Sequence, residues 1–259
     1  MAFIGRGADK IHYELSGVLN ASAVVFSNSL GANLSMWDPQ LAEVEKRFRV
    51  LRYDTRGHGQ SSGAPGAYSI EQLARDVLAL LDALQIQRAN FCGLSMGGMI
   101  GMWLGLNAPS RFEKIVLCNT GAKIGSDKGW NSRIEVVRRD GLKAVAAAVI
   151  ERWFTPDFRA REPQVWESAL RMLEASPPEG YAACCAAVRD YDARDQLTAI
   201  HLPTLVIAGG KDSATPPVDG RFIAEQISGA RYVELDAAHL SNVEASGRFT
   251  AELIQFLFA

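Results

Sequence analysis

The chain has 259 residues, 48% of them hydrophobic and 22% charged, a balance that supports a substantial buried core and excludes a mainly disordered polypeptide. Its 27 basic and 29 acidic side chains leave a formal charge of -2, and no dense Lys/Arg block offers the phosphate-neutralising surface that nucleic acid or an anionic membrane requires. Four cysteines are too few for a disulfide framework in a chain this long and are expected as buried free thiols. The opening stretch, Met1 to Arg6, has no basic region followed by a sustained apolar run, and no apolar run approaches the ~20 residues of a membrane span, so a cytoplasmic protein is expected.

In chain order, short β-type runs bounded by Gly, Asn or Asp come first: Lys10 to Glu14, Ala23 to Ser27 and Phe48 to Tyr53. Ser69 and Gln72 then have capping-box spacing, and Ile70, Leu73, Val77, Leu80, Leu81 and Leu84 recur as one buried helix face. A strand over Ala89 to Cys92, a helix over Met99 to Leu106 and a strand over Ile115 to Cys118 continue the alternation, which implies a mostly parallel sheet flanked by helices. From residue 121 to 197 the alternation stops, and helices are expected over Leu142 to Trp153, Pro163 to Leu173 and Gly180 to Arg189. The β pattern resumes with Thr204 to Ala208 and Tyr232 to Leu235, separated by a helix near Val218 to Gln226 and closed by a helix over Phe249 to Phe258. The expected organisation is an α/β core, 1–120 and 198–259, interrupted by a helical cap, 121–197, over the sheet edge where open sheets bind ligands.

Gly93-Leu94-Ser95-Met96-Gly97 fits G-x-S-x-G, with an apolar run leading in and a helical run leading out, as a nucleophile elbow requires. A serine hydroxyl needs a base within hydrogen-bond reach, and histidine is the usual one. Of the four histidines, His12 and His201 suit surface or packing roles, and His58 suits a structural turn as well as a catalytic edge. His239, in the last loop, is the best candidate base, and Asp212, after a strand and a Gly-Gly turn, is the best partner for it, with Asp219 and Asp236 weaker. The position after the preceding strand reads Cys118-Asn119-Thr120 and offers no carboxylate. Backbone N–H groups of Met96 and Leu30 are the expected oxyanion donors. A Gly/Ser turn without chemistry is the alternative for the Ser95 motif, and a polar turn for the Leu30 loop.

Taken together, Asp54-Thr55-Arg56-Gly57-His58-Gly59-Gln60-Ser61, the Ser95 elbow, the Gly-Gly-Lys-Asp212 turn and the His239 loop resemble the α/β-hydrolase superfamily across essentially the whole chain. The resemblance implies the α/β-hydrolase fold, with a sheet of about eight strands, a helical cap inserted after the sixth, and a Ser95-His239-Asp212 triad. One departure is Asn28-Ser29, where many relatives carry His-Gly. Within the superfamily, Phe26 to Gly31 followed by Met36-Trp37-Asp38, and Gly180 to Asp190 in the insertion, look like the 3-oxoadipate enol-lactonases of the β-ketoadipate pathway.

That resemblance implies cytoplasmic hydrolysis of a small-molecule lactone in aromatic catabolism, with no cofactor and no metal. Because this lactone carries a carboxylate, Arg133, Arg138 and Arg189 are candidates to bind it, and Trp130, Trp153 and Trp166 are candidate pocket walls. Each of these has an ordinary alternative as a solvated helix face or as packing. A general carboxylesterase, a C–C hydrolase of ring-cleavage products and a hydrolase-fold ligand receptor are the competing readings.

Overall fold

The computed structural model describes residues 2–5 and 7–259; Met1 and Arg6 of the opening stretch lie outside the described residues. Among the described residues, eight strands form one sheet in the order β1-β2-β4-β3-β5-β6-β7-β8. The strands are β1 (Ala2–Ile4), β2 (Ile11–Gly17), β3 (Ala23–Ser27), β4 (Arg49–Tyr53), β5 (Ala89–Leu94), β6 (Phe112–Cys118), β7 (Thr204–Gly209) and β8 (Arg231–Leu235). β1 and β2 are antiparallel to their neighbours, and every pairing from β4 to β8 is parallel. β3, β5 and β7 are buried at every position, the near-continuous apolar runs of strands covered on both faces, whereas the edge strand β8 buries only Leu235.

Helices α1 (Asp38–Val44), α2 (Ile70–Ala83) and α3 (Met96–Asn107) belong to the first half of the core. The Ser69 hydroxyl caps α2 by accepting the Gln72 N–H at 3.1 Å, and Leu73, Val77, Leu80 and Leu81 are its buried face. After β6 the chain leaves the sheet for five helices: α4 (Asp127–Asp140), α5 (Lys143–Trp153), α6 (Pro156–Arg161), α7 (Pro163–Glu174) and α8 (Pro178–Asp190). α9 (Pro217–Gln226), α10 (Ser241–Glu244) and α11 (Ser246–Phe258) complete the core, with Phe249 of α11 packed against Trp37.

The helical insert is tied to the core at several points. A Cβ on Gly180 would lie 2.1 Å from the Gly57 carbonyl oxygen, so only glycine lets α8 approach the loop after β4 this closely. The Tyr68 N–H donates to the Ala183 carbonyl at 3.2 Å, and the Ser176 hydroxyl donates to the Gly31 carbonyl at 3.2 Å. Near α10, the Ala238 N–H donates to Glu244 at 2.9 Å, and the same carboxylate accepts the Thr155 hydroxyl and N–H at the start of α6.

Five elements were not expected from sequence: β1, α1, α4, α6 and the four-residue α10. β1 is only three residues long. α4 buries just Ile134 and Val137, with Trp130 partly buried on the same face, and α6 buries just Phe158, so the apolar stripe is short in α4 and missing in α6. All four cysteines are buried and free. No helix among the described residues is long and apolar enough to cross a membrane.

Candidate active site

The turn from β5 into α3 is built around two glycines and a strained serine. A Cβ on Gly93 would lie 2.1 Å from the Gly97 carbonyl oxygen, and one on Gly97 would lie 2.2 Å from the Ser27 carbonyl oxygen. Between them Ser95 has φ 59° and ψ -114°, a backbone region that L-residues occupy only when the surroundings enforce it, at a cost of order 1–3 kcal/mol. The enforcement is visible: the Ser95 N–H donates to Cys118 O at 2.9 Å, its carbonyl accepts the Thr120 hydroxyl at 2.7 Å, and the Gly97 N–H donates to Asn28 O at 3.1 Å. The side chain consequently projects at the start of α3 into the space beneath the insert.

His239 follows β8, and Asp212 follows β7, adjacent parallel strands whose loops bring the two side chains together. His239 Nδ1 pairs with Asp212 Oδ2 at 2.7 Å. The remaining carboxylate capacity is filled: Oδ1 accepts the Ala214 and Thr215 N–H groups at 2.8 and 3.0 Å, and Oδ2 also accepts the Thr215 hydroxyl at 2.7 Å and the Asn119 amide at 3.0 Å. Burial is the largest single influence on Asp212 and favours its neutral form, but the His239 charge, the His239 hydrogen bond and the Thr215 donors together outweigh it and hold the pKa at about 2. The aspartate is therefore an anion at neutral pH, and a proton on Nδ1 leaves Nε2 of His239 as the basic nitrogen. No hydrogen bond joins the Ser95 hydroxyl to His239 in this structure, although both line the same cavity.

Opposite the elbow, the loop after β3 is fixed from its own sequence. Asn28 donates to Tyr53 O at 2.8 Å and accepts from the Trp37 indole at 3.0 Å, which accounts for asparagine at the position of the departure noted above. Gly31 has φ 82°, and its N–H donates to His58 Nε2 at 3.0 Å. His58 is thus a structural acceptor, and burial pushes its pKa down to about 4, so it is neutral. The N–H groups of Leu30 and Met96 have no hydrogen-bond partner among the described residues, and Ser29, Leu30 and Ser95 line one cavity of about 430 Å³. Unpartnered N–H donors beside a hydroxyl can receive the negative charge that develops on a carbonyl oxygen under attack.

The cavity lies between the sheet edge and the insert, and its walls include Trp130 and Arg133 of α4, Arg152 and Trp153 of α5, Tyr181 of α8, and Thr215. Arg133 stacks over Trp130, with its guanidinium carbon 4.7 Å from the ring centroid. Arg189 does not reach this space: its guanidinium is taken by Asp190 at 2.7 and 2.8 Å and by Asn131 at 2.6 Å, so it is set aside as a substrate contact. Arg138 is exposed and pairs with Glu179, and Trp166 borders a separate outer hollow beneath Arg159.

The other sequence candidates resolve similarly. His12 is buried and pairs with Asp54 at 2.8 Å, a packing role and not a surface one. Asp236 is held by Lys211, and Asp219 sits in the first turn of α9. Arg152, Thr215 and the amide of Asn119 were missed as site residues. Arg152 was detectable, because Val149, Arg152 and Trp153 share one face of the expected helix and all three line the cavity. Among the described residues, no group of three or more His, Cys, Asp or Glu side chains is arranged to hold a metal ion.

Comparison with known proteins agrees with this architecture. The alpha/beta hydrolase fold family matches residues 22–246. The 3-oxoadipate enol-lactonase 2 of Acinetobacter baylyi is 46% identical over 239 residues, covering 92% of this chain and 90% of the relative. The 3-oxoadipate enol-lactonase 1 of the same organism is 41% identical, covering 94% and 91%. The crystal structure of the enol-lactonase from Burkholderia xenovorans superposes with a TM-score of 0.98 at 47% identity over the full length of both chains. By sheet topology, elbow and similarity over nearly its whole length, the chain belongs to the alpha/beta hydrolase fold family.

Proposed function

We propose that the protein is a 3-oxoadipate enol-lactonase in which Ser95, His239 and Asp212 act as nucleophile, base and orienting acid. The observation that carries this reading is the convergence, on one cavity, of the strained Ser95, the Asp212-held His239 and an arginine, Arg133, with no carboxylate within salt-bridge distance among the described residues. The similarity to two curated enol-lactonases and one solved enol-lactonase supports the choice of lactone.

The chemistry follows from the groups in place. Nε2 of His239 takes the Ser95 proton as the oxygen attacks the lactone carbonyl, and Asp212 stabilises the imidazolium through Nδ1. The oxyanion is received by the Leu30 and Met96 N–H groups. The ring C–O bond then breaks, and the enol oxygen takes the proton from His239 and becomes a ketone on tautomerisation. Water, deprotonated by the same histidine, attacks the acyl ester, releasing the second carboxylate and restoring Ser95. Arg133 pairs with the substrate's own carboxylate, while Trp130 and Trp153 wall its carbon chain. In this reading the insert, 121–197, is the substrate-selecting cap over a hydrolytic core.

The test is the decay of 3-oxoadipate enol-lactone absorbance with wild type, Ser95→Ala and His239→Ala, set beside a simple aryl ester. Fast lactone loss that disappears in both variants, with slow ester cleavage, is expected. Efficient ester cleavage without lactone turnover would replace the lactonase by a general carboxylesterase, and absence of both activities would favour a ligand receptor.

A further inference from the structure

The cavity contains one cation more than the proposed substrate needs. Arg133 and Arg152 both line it, both are only partly exposed, and among the described residues neither has a carboxylate within salt-bridge distance, although most other arginines of the chain do. Arg152 donates from Nε to Ala148 O at 3.2 Å, a backbone contact one turn back along α5, which leaves its terminal nitrogens uncommitted. It also borders an outer hollow that contains Glu151 and Asp157, and neither of those forms an ion pair with it. The third polar group on this wall is Tyr181, which is buried and within electrostatic reach of both guanidinium charges.

Two uncompensated guanidinium groups facing one cavity repel each other, and partial burial adds to the cost. The effect is legible at Arg152, whose pKa is lowered by burial and by the neighbouring Arg133 charge. Neither guanidinium is paired with a carboxylate among the described residues, so an anion bound in the cavity would supply the countercharge. The side of α5 that carries Arg152 lies against the histidine loop: the His239 N–H points to Arg152 O at 3.4 Å, and the Leu240 N–H donates to Trp153 O at 2.9 Å. The two arginines thus come from different helices, one on α4 and one beside the proposed reacting end.

We infer that Arg152 is a second anion-binding residue, and that with Arg133 it makes the cavity a receptor for doubly negative dicarboxylates of product length. The inference rests on the proposed lactonase reading in one respect: hydrolysis converts a monoanion into a dianion, so Arg152 answers to the carboxylate that hydrolysis creates. Its consequence is that the opened diacid and its saturated analogues bind more tightly than a monocarboxylate of similar size and compete with the lactone.

Isothermal titration calorimetry with adipate and with levulinate, on wild type, Arg152→Gln, Arg152→Lys and Arg133→Gln, tests this. Wild type is expected to bind adipate at least about tenfold more tightly than levulinate. Arg152→Gln should erase that preference by weakening adipate about tenfold while leaving levulinate within about twofold, Arg152→Lys should restore part of it, and Arg133→Gln should weaken both ligands. The inference is overturned if wild type does not prefer adipate, a result that needs no variant to fold, or if a folded Arg152→Gln binds adipate as wild type does. Equal weakening of both ligands in that variant would also overturn it. The two readings fail separately: Arg152-dependent adipate binding without lactone turnover removes the lactonase and keeps the site, whereas turnover with an indifferent Arg152 removes the site and keeps the lactonase.

Discussion

Gly97→Ala isolates what the elbow contributes, because the substitution adds a single methyl group and touches none of the proposed reacting atoms. The added Cβ would lie 2.2 Å from Ser27 O and 2.7 Å from Ser27 C, where ordinary contacts begin at 3.4 Å, and both obstacles are backbone of a central strand. Relief therefore requires α3 and β3 to separate by about 1 Å, which also stretches the Gly97 to Asn28 hydrogen bond. Overpacking of this kind costs about 1–3 kcal/mol, and for a chain of this size each kcal/mol lowers Tm by about 2–4 °C. The functional loss should be larger than the loss of stability suggests. The displacement separates Met96, on α3, from Leu30, three residues past Ser27, and a misplacement of about 1 Å costs about a hundredfold in rate. The assay is kcat/KM for enol-lactone hydrolysis beside a thermal melt, with Gly247→Ala as control, since a Cβ there meets nothing within 4 Å. A folded Gly97→Ala enzyme retaining kcat/KM within threefold of wild type would refute the steric reasoning.

Three further outcomes follow from the site. Asp212 has a folded pKa of about 2 against an ordinary 3.8; a carboxylate depressed in the fold contributes stability that is complete above the unfolded value and lost as pH falls through the folded one. At 1.36 kcal/mol per pH unit this is worth about 2 kcal/mol, so the stability difference between wild type and Asp212→Asn, measured by urea unfolding, should narrow by that amount between pH 5 and pH 2. A constant difference would contradict the pairing. His58, held neutral with a pKa near 4 against an ordinary 6.5, binds its proton more readily when unfolded, so wild type should lose about 3 kcal/mol as pH falls from 6.5 to 4. His58→Gln should lack that contribution, and parallel stability curves for the two proteins would exclude it. Arg133→Gln should raise KM for the lactone by about ten- to a hundredfold with a smaller effect on kcat, as expected for loss of a charged contact remote from the reacting carbonyl; an unchanged KM would remove Arg133 from substrate binding.

The parts of the site that were legible in sequence are those set by short-range covalent logic. Gly93, Ser95 and Gly97 lie within one turn whose sterics are local, and Asp212 and His239 each follow a recognisable strand by a few residues. The core strands were legible because β3, β5 and β7 are buried on both faces and read as unbroken apolar runs. The insert was harder in part, since α4 and α6 bury only a few residues each, whereas α8 is buried throughout Gly180 to Val188. α4 carries Trp130 and Arg133 to the cavity, yet only Ile134 and Val137 of that helix are fully buried, so its periodic signal is confined to Trp130, Ile134 and Val137 among mostly polar residues. Arg189 was attractive because it lies in the segment most distinctive of the subgroup, but its neighbour Asp190 captures it. Arg152 shares a helix face with Val149 and Trp153 that spacing does show, but its pairing with Arg133 arises from the meeting of α4 and α5, a juxtaposition that sequence spacing does not encode.

The most direct test of the lactonase account is rapid-quench mass spectrometry of the wild-type enzyme mixed with enol-lactone. Because the leaving oxygen stays tethered to the acyl chain, ring opening must add the whole mass of the lactone, with nothing lost, to the peptide bearing Ser95. That adduct should appear and decay within turnover and be absent from Ser95→Ala, which should also be inactive. Lactone turnover by Ser95→Ala, or an adduct on any other residue, would contradict the account.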